Sequence, residues 1–113
     1  MKSTDFINGI YKECVTNQLE LYKHLLENTP NATDPTWIET IKIYKSLTNE
    51  EKKSILQFFK IVEVNTIASM LAIIDGDKAI YDDFISFSLI PENSENISGN
   101  LTNEFLQRDE MID

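Results

Sequence analysis

The stretch from Thr48 to Gly76 constrains the fold more than any other part of the chain. Thr48-Asn-Glu-Glu51 has the form of a capping box, in which the Thr48 hydroxyl accepts from the Glu51 N–H while the Glu51 carboxylate accepts from the Thr48 N–H. Asp75-Gly76 supplies a matching stop, because glycine takes the left-handed conformation that closes a helix C-terminus. Between them Ile55, Leu56, Phe58, Phe59, Ile61, Val62, Val64, Ile67, Met70, Leu71, Ile73 and Ile74 recur at helical spacing. A helix of about 26 residues, roughly 40 Å long, is expected. Its second half is apolar almost all round, which predicts a central helix surrounded by the others. Ala68 and Ala72 would let a neighbour approach closely.

Two helices are expected before it. From Thr4 or Asp5 to about Asn28, the positions Phe6, Ile7, Ile10, Tyr11, Cys14, Val15, Leu19, Leu21, Tyr22, Leu25 and Leu26 form one wide apolar stripe, stopped by Thr29-Pro30. Asp34-Pro35 then reads as an N-cap with proline in the first helical position, opening a shorter helix to about Leu47. Trp37, Ile38, Ile41, Tyr44 and Leu47 mark its expected buried side.

After Gly76 the pattern changes. Ile85, Phe87 and Leu89 alternate with Ser86 and Ser88, a period-two signal for a strand that Pro91 ends and that Glu95 to Ser98 would rejoin as a hairpin. A last helix is expected over about Asn100 to Met111, with Leu101, Phe105 and Leu106 inward. The predicted class is therefore α+β and mostly helical: a three-helix bundle with a long central third helix, then a β-hairpin and a short C-terminal helix. With 113 residues the chain reads as a single domain, divided into a helical body (1–76) and an acidic hairpin and terminal helix (77–113).

The charge follows that division. Residues 1–60 hold eight lysines and eight acids, whereas residues 61–113 hold eleven acids against Lys78 and Arg108, which accounts for the entire net charge of -9. An acidic balance argues against nucleic acid as a partner, since phosphate neutralisation needs clustered Lys and Arg. The first 30 residues carry charges throughout and offer no signal-peptide core. The longest uncharged run, Val64–Ile74, is shorter than a membrane span requires, so no membrane association is expected. One unpaired cysteine fits a reducing cytoplasm. The Lys-, Ile- and Asn-rich composition, with a single Arg, points to an AT-rich bacterial source.

Few residues offer catalytic or cofactor chemistry. Cys14 and His24 are the sole thiol and imidazole, and on one helix they stand about 15 Å apart, too far for a nucleophile and its base. Glu20, His24 and Glu27 could meet on one helix face as a metal set, but a solvated face explains them better. Asp75-Gly-Asp77 with Asp82-Asp83 imitates a calcium loop yet has Ile80 where glycine is required and Ser86 where a bidentate Glu is required. Three glycines, Gly9, Gly76 and Gly99, cannot write a phosphate-binding loop. Lys42, Lys45, Lys52, Lys53 and Lys60 form a mildly basic face interrupted by acids. No cofactor, metal ligand or catalytic residue is assigned.

The C-terminal fifth, Ile97-Ser-Gly-Asn-Leu-Thr-Asn-Glu-Phe-Leu106 with the strand and polar turn before it, resembles the ends of small acidic uncharacterised bacterial proteins, some of them associated with toxin-immunity loci. The resemblance implies an immunity role. Independently, the missing chemistry and the localised charge point to a non-enzymatic interaction module that meets a basic surface on a protein partner through Asp75, Asp77, Asp82, Asp83, Glu92 and Glu95. Two alternatives stand beside it: a homo-oligomeric structural protein, such as a homodimer, and a small carboxylate- or metal-dependent enzyme.

Overall fold

The computed structural model describes residues 1–111; Ile112 and Asp113, at the end of the predicted acidic half, lie outside the described residues. The chain begins with one rod built of α1 (Ser3–Tyr11), a single π-helical turn (Lys12–Thr16) and α2 (Asn17–Asn28). The Asp5 carboxylate accepts the Lys2 N–H at 3.1 Å, placing a negative charge at the positive end of α1. The π turn carries no local sequence signal, and the apolar stripe runs straight through it.

α3 (Pro35–Ser46) starts as expected: Asp34 Oδ1 accepts the Trp37 N–H at 3.0 Å and Pro35 occupies the first turn. α4 (Asn49–Asp75) is the 27-residue helix framed by the capping box. Thr48 Oγ1 accepts from the Glu51 N–H at 3.1 Å, Glu51 Oε1 accepts from the Thr48 N–H at 2.8 Å, and Gly76 closes the other end at φ 82°. α5 (Leu101–Glu110) completes the fold.

Two hydrophobic clusters lie in series along α4. One joins Ile7, Tyr11 and Val15 of the rod to Val64 and Leu71 of α4 and to Leu101 and Phe105 of α5, with Ala68 packed against it. The other joins Leu26 of α2 to Ile41 and Tyr44 of α3, with Trp37, Leu56 and Phe59 at its edge. Leu101 and Phe105 are fully buried, a contribution of about 1.5–3 kcal/mol each. The short helix α5 is thus a principal part of the first core. Leu21, Ile38 and Leu106, expected inside, are exposed.

The α+β expectation is overturned. Among the described residues there is no β-strand, only an isolated bridge between Ile80 and Asp83. Residues 84–90 run without turn or bend but form no strand, against the expectation from their alternation, because the returning limb pairs through side chains. Ile97 N–H donates to Leu89 O at 2.8 Å, whereas Leu89 N–H goes to Asn96 Oδ1 at 2.8 Å and Phe87 O receives the Ser98 hydroxyl at 2.6 Å. Asn and Ser side chains outcompete a backbone ladder in such positions. The Phe87 N–H turns to Ile74 O at the end of α4, at 3.1 Å. The fold is all-helical with an extended strap where the hairpin was expected.

The surrounded central helix is also not what forms. α4 is covered on one side only, and 11% of its most apolar 18-residue window is buried. Phe58, Ile61, Val62 and Met70 are each about half exposed or more. With a mean hydropathy of 1.4 over that window, α4 is long and apolar enough to cross a membrane, a test that a soluble core helix also passes and one that the length of the uncharged run does not capture.

Candidate interaction surface

The end of α4 and the strap bring most of the predicted acidic residues to one end of the molecule. Gly76 makes the close approach possible. A Cβ there would stand 2.5 Å from Ser86 Oγ and 3.2 Å from Ser86 Cα, so only glycine admits the strap against the helix end.

Asp75 takes a different role from the other acids. Its Oδ1 accepts the Gly99 N–H at 2.7 Å, and its Oδ2 accepts the Thr102 N–H at 3.0 Å and the Thr102 hydroxyl at 3.1 Å. Asn100 makes no side-chain cap of its own on α5. Asp75 therefore caps α5 from the last residue of α4, satisfying donors that a helix N-terminus leaves open. It holds the strap between two helices and is half-buried.

Asp77, Asp82, Asp83, Glu92 and Glu95 are exposed. The sole ion pair among the described residues joins Lys60 to Asp109 at 3.8 Å, so none of these five is paired with a cation there. Ile80 and Asp83 exchange backbone hydrogen bonds of 2.8 and 3.1 Å around Tyr81 and Asp82. Both corner residues have positive φ, 49° and 70°, a conformation that disfavours a residue as bulky as tyrosine. The turn presents Tyr81 at 95% exposure, followed by Phe84 at 71%. Neither aromatic was singled out from the sequence; their signal was that both fall outside the alternating pattern, inside a run of acids.

The strap has two unlike edges. The backbone of Phe87 bonds to Ile74 at the end of α4 and to Ser98, and that of Leu89 to Asn96 and Ile97 of the returning limb, while the backbone of Ser86, Ser88 and Ile90 has no hydrogen-bond partner among the described residues. Phe84, Ile85 and Ile90 are largely exposed along it. An unpaired extended edge of this kind is a template for a further strand.

The remaining candidates do not converge. Cys14 is a half-buried free thiol in the π turn, and His24 lies exposed on α2 beside Asn28, with Nδ1 3.3 Å from the Asn28 amide. No group of three His, Cys, Asp or Glu residues among the described residues could hold a metal ion. Lys52 sits over the Tyr44 ring at 5.2 Å and Lys60 pairs with Asp109, so two of the five lysines are engaged internally.

Comparison with protein-family models, with curated proteins and with solved structures returned no match.

Proposed function

We propose that the protein is an interaction module that meets a basic protein surface through the acidic, aromatic-tipped end formed by residues 77–95, acting as an inhibitor of the immunity type in the cytoplasm. The carrying observation is the exposure of Tyr81 and Phe84 among Asp77, Asp82, Asp83, Glu92 and Glu95. Unpaired carboxylates steer association with a positive surface, and exposed aromatic side chains supply the anchors on which interface energy concentrates. The free edge of the strap adds backbone groups that a partner strand could use.

The test is binding to the product of the adjacent gene, comparing the parent with a variant carrying amides at all five acidic positions and with Tyr81→Ala. Charge-driven recognition predicts slower association and a flatter salt dependence for the first variant, and faster dissociation for the second. Unchanged affinity and salt dependence in both refutes the reading.

A second reading, self-association, rests on a different observation: the exposed face of α4 from Ile55 through Phe58, Ile61, Val62, Asn65 and Thr66 carries no charged side chain. Solvent-facing helical surfaces are ordinarily charged. Light scattering separates the two readings. A parent dimer converted to monomer by Val62→Glu supports self-association, and a parent monomer at micromolar concentration rejects it.

A further inference from the structure

A groove of about 610 Å³ opens between α2, α3 and the first half of α4, remote from the acidic end. Tyr22 and Trp37 form one wall as a stacked pair, with ring centroids 5.9 Å apart and planes inclined by 21°. Phe58, Phe59 and Val62 form the other, and Glu63 is the only charged residue lining the space among the described residues. Glu63 is unusual for its position. Its Oε2 is buried and has no hydrogen-bond partner among the described residues. Burial also pushes its carboxyl above the usual range.

No cation pairs with the half-buried Glu63 carboxylate among the described residues, so its natural complement is a cation that brings its own N–H groups. Aromatic faces around the same space favour a cation over an anion, because the ring quadrupole presents negative charge. The volume lies within the range of small-molecule sites, which are mostly apolar with a few polar groups fixing orientation. We infer that this groove binds a small organic cation, with an alkylammonium or guanidinium head against Glu63 and an apolar body between the Tyr22–Trp37 stack and Phe58. The site is independent of the acidic end and of the reading given to it.

Trp37 is the only tryptophan in the chain, so its fluorescence reports on the groove directly. The experiment titrates the full protein with n-hexylammonium, n-hexylguanidinium and neutral 1-hexanol, following Trp37 emission, for the parent, Glu63→Gln and Phe58→Ala. Phe58 is 57% exposed, so its truncation leaves the fold in place even if the Glu63 variant is perturbed, and circular dichroism checks both. A saturable response to the cations, at least about tenfold weaker in Glu63→Gln and severalfold weaker in Phe58→Ala, with hexanol binding the parent and Glu63→Gln alike, is the expected result. No saturable response up to about 20 mM, equal affinities for hexanol and the cations, or undiminished cation binding in Glu63→Gln overturns the assignment. So does binding of an arginine-containing peptide with no response to either free cation.

Discussion

Replacing Asp75 by alanine should cost the fold far more than loss of an exposed charge. In the parent the carboxylate accepts three hydrogen bonds, from the Gly99 N–H, the Thr102 N–H and the Thr102 hydroxyl, at 2.7 to 3.1 Å. Hydrogen bonds to an ionised acceptor contribute about 1.5–3 kcal/mol each when buried. Gly99 is exposed, however, and water replaces much of that bond, leaving the half-buried Thr102 pair as the main loss. Against this, Asp75 ends α4, where its charge opposes the helix dipole, so its removal returns about 0.3–1 kcal/mol. The net for Asp75→Ala is about 2–3 kcal/mol. Asp75→Asn keeps one acceptor oxygen and should cost about half as much. Urea unfolding followed by circular dichroism measures both, and the Asp75→Ala/Thr102→Val double mutant should show a coupling of about 1 kcal/mol. Asp75→Ala within about 0.5 kcal/mol of the parent, or no coupling to Thr102, refutes the capping role and returns Asp75 to the partner-facing set.

Three further outcomes follow from the same geometry. Gly76→Ala forces a side chain into φ 82° and into Ser86, so it should destabilise by more than the roughly 1–2 kcal/mol of the conformation alone, and Ser86→Gly in the same chain should recover part of the loss in a urea titration. Tyr11 is pushed up to about 12 by burial and by its 2.8 Å hydrogen bond to Asp109, partly opposed by Arg108. The folded state therefore holds the phenolic proton more tightly, so this contribution is intact below pH 10 and is lost as pH rises from 10 through 12. About two pKa units correspond to about 3 kcal/mol, and the alkaline fall in unfolding free energy should be correspondingly shallower in Tyr11→Phe. Thr48→Ala breaks the capping box and should lower the urea-derived stability by about 1 kcal/mol, with Thr48→Ser restoring it.

What could be read from the chain was what its local chemistry decides. The limits of α4 follow from Thr48, Glu51 and Gly76, and the start of α3 from Asp34-Pro35, because each cap is completed within a few residues. The alternation of Ile85, Phe87 and Leu89 pointed to a strand that does not form, because pairing depends on the opposite limb, where Asn96 and Ser98 take the bonds with their side chains. The apolar second half of α4 implied surrounding helices that so short a chain does not supply on every side. Asp75 looked like one acid among six, and its distinction comes from Gly99 and Thr102, 24 and 27 residues away. Tyr81, Phe84 and Glu63 gained meaning only when the fold set their neighbours.

The π turn at Lys12–Thr16 lies within a single rod that serves two cores: Tyr11 and Val15 belong to one cluster and Leu26 to the other. An i to i+5 turn holds one residue more than its α-helical counterpart. The rod therefore contains a spare residue at one place. Loss of one residue between Lys12 and Thr16 would relax the turn into α-helix while α1 and α2 keep their own faces, whereas loss of one residue within either flank would swing everything beyond it by about 100°. Tolerance to changes in length is thus confined to five positions, and there a chain one residue shorter can keep both cores.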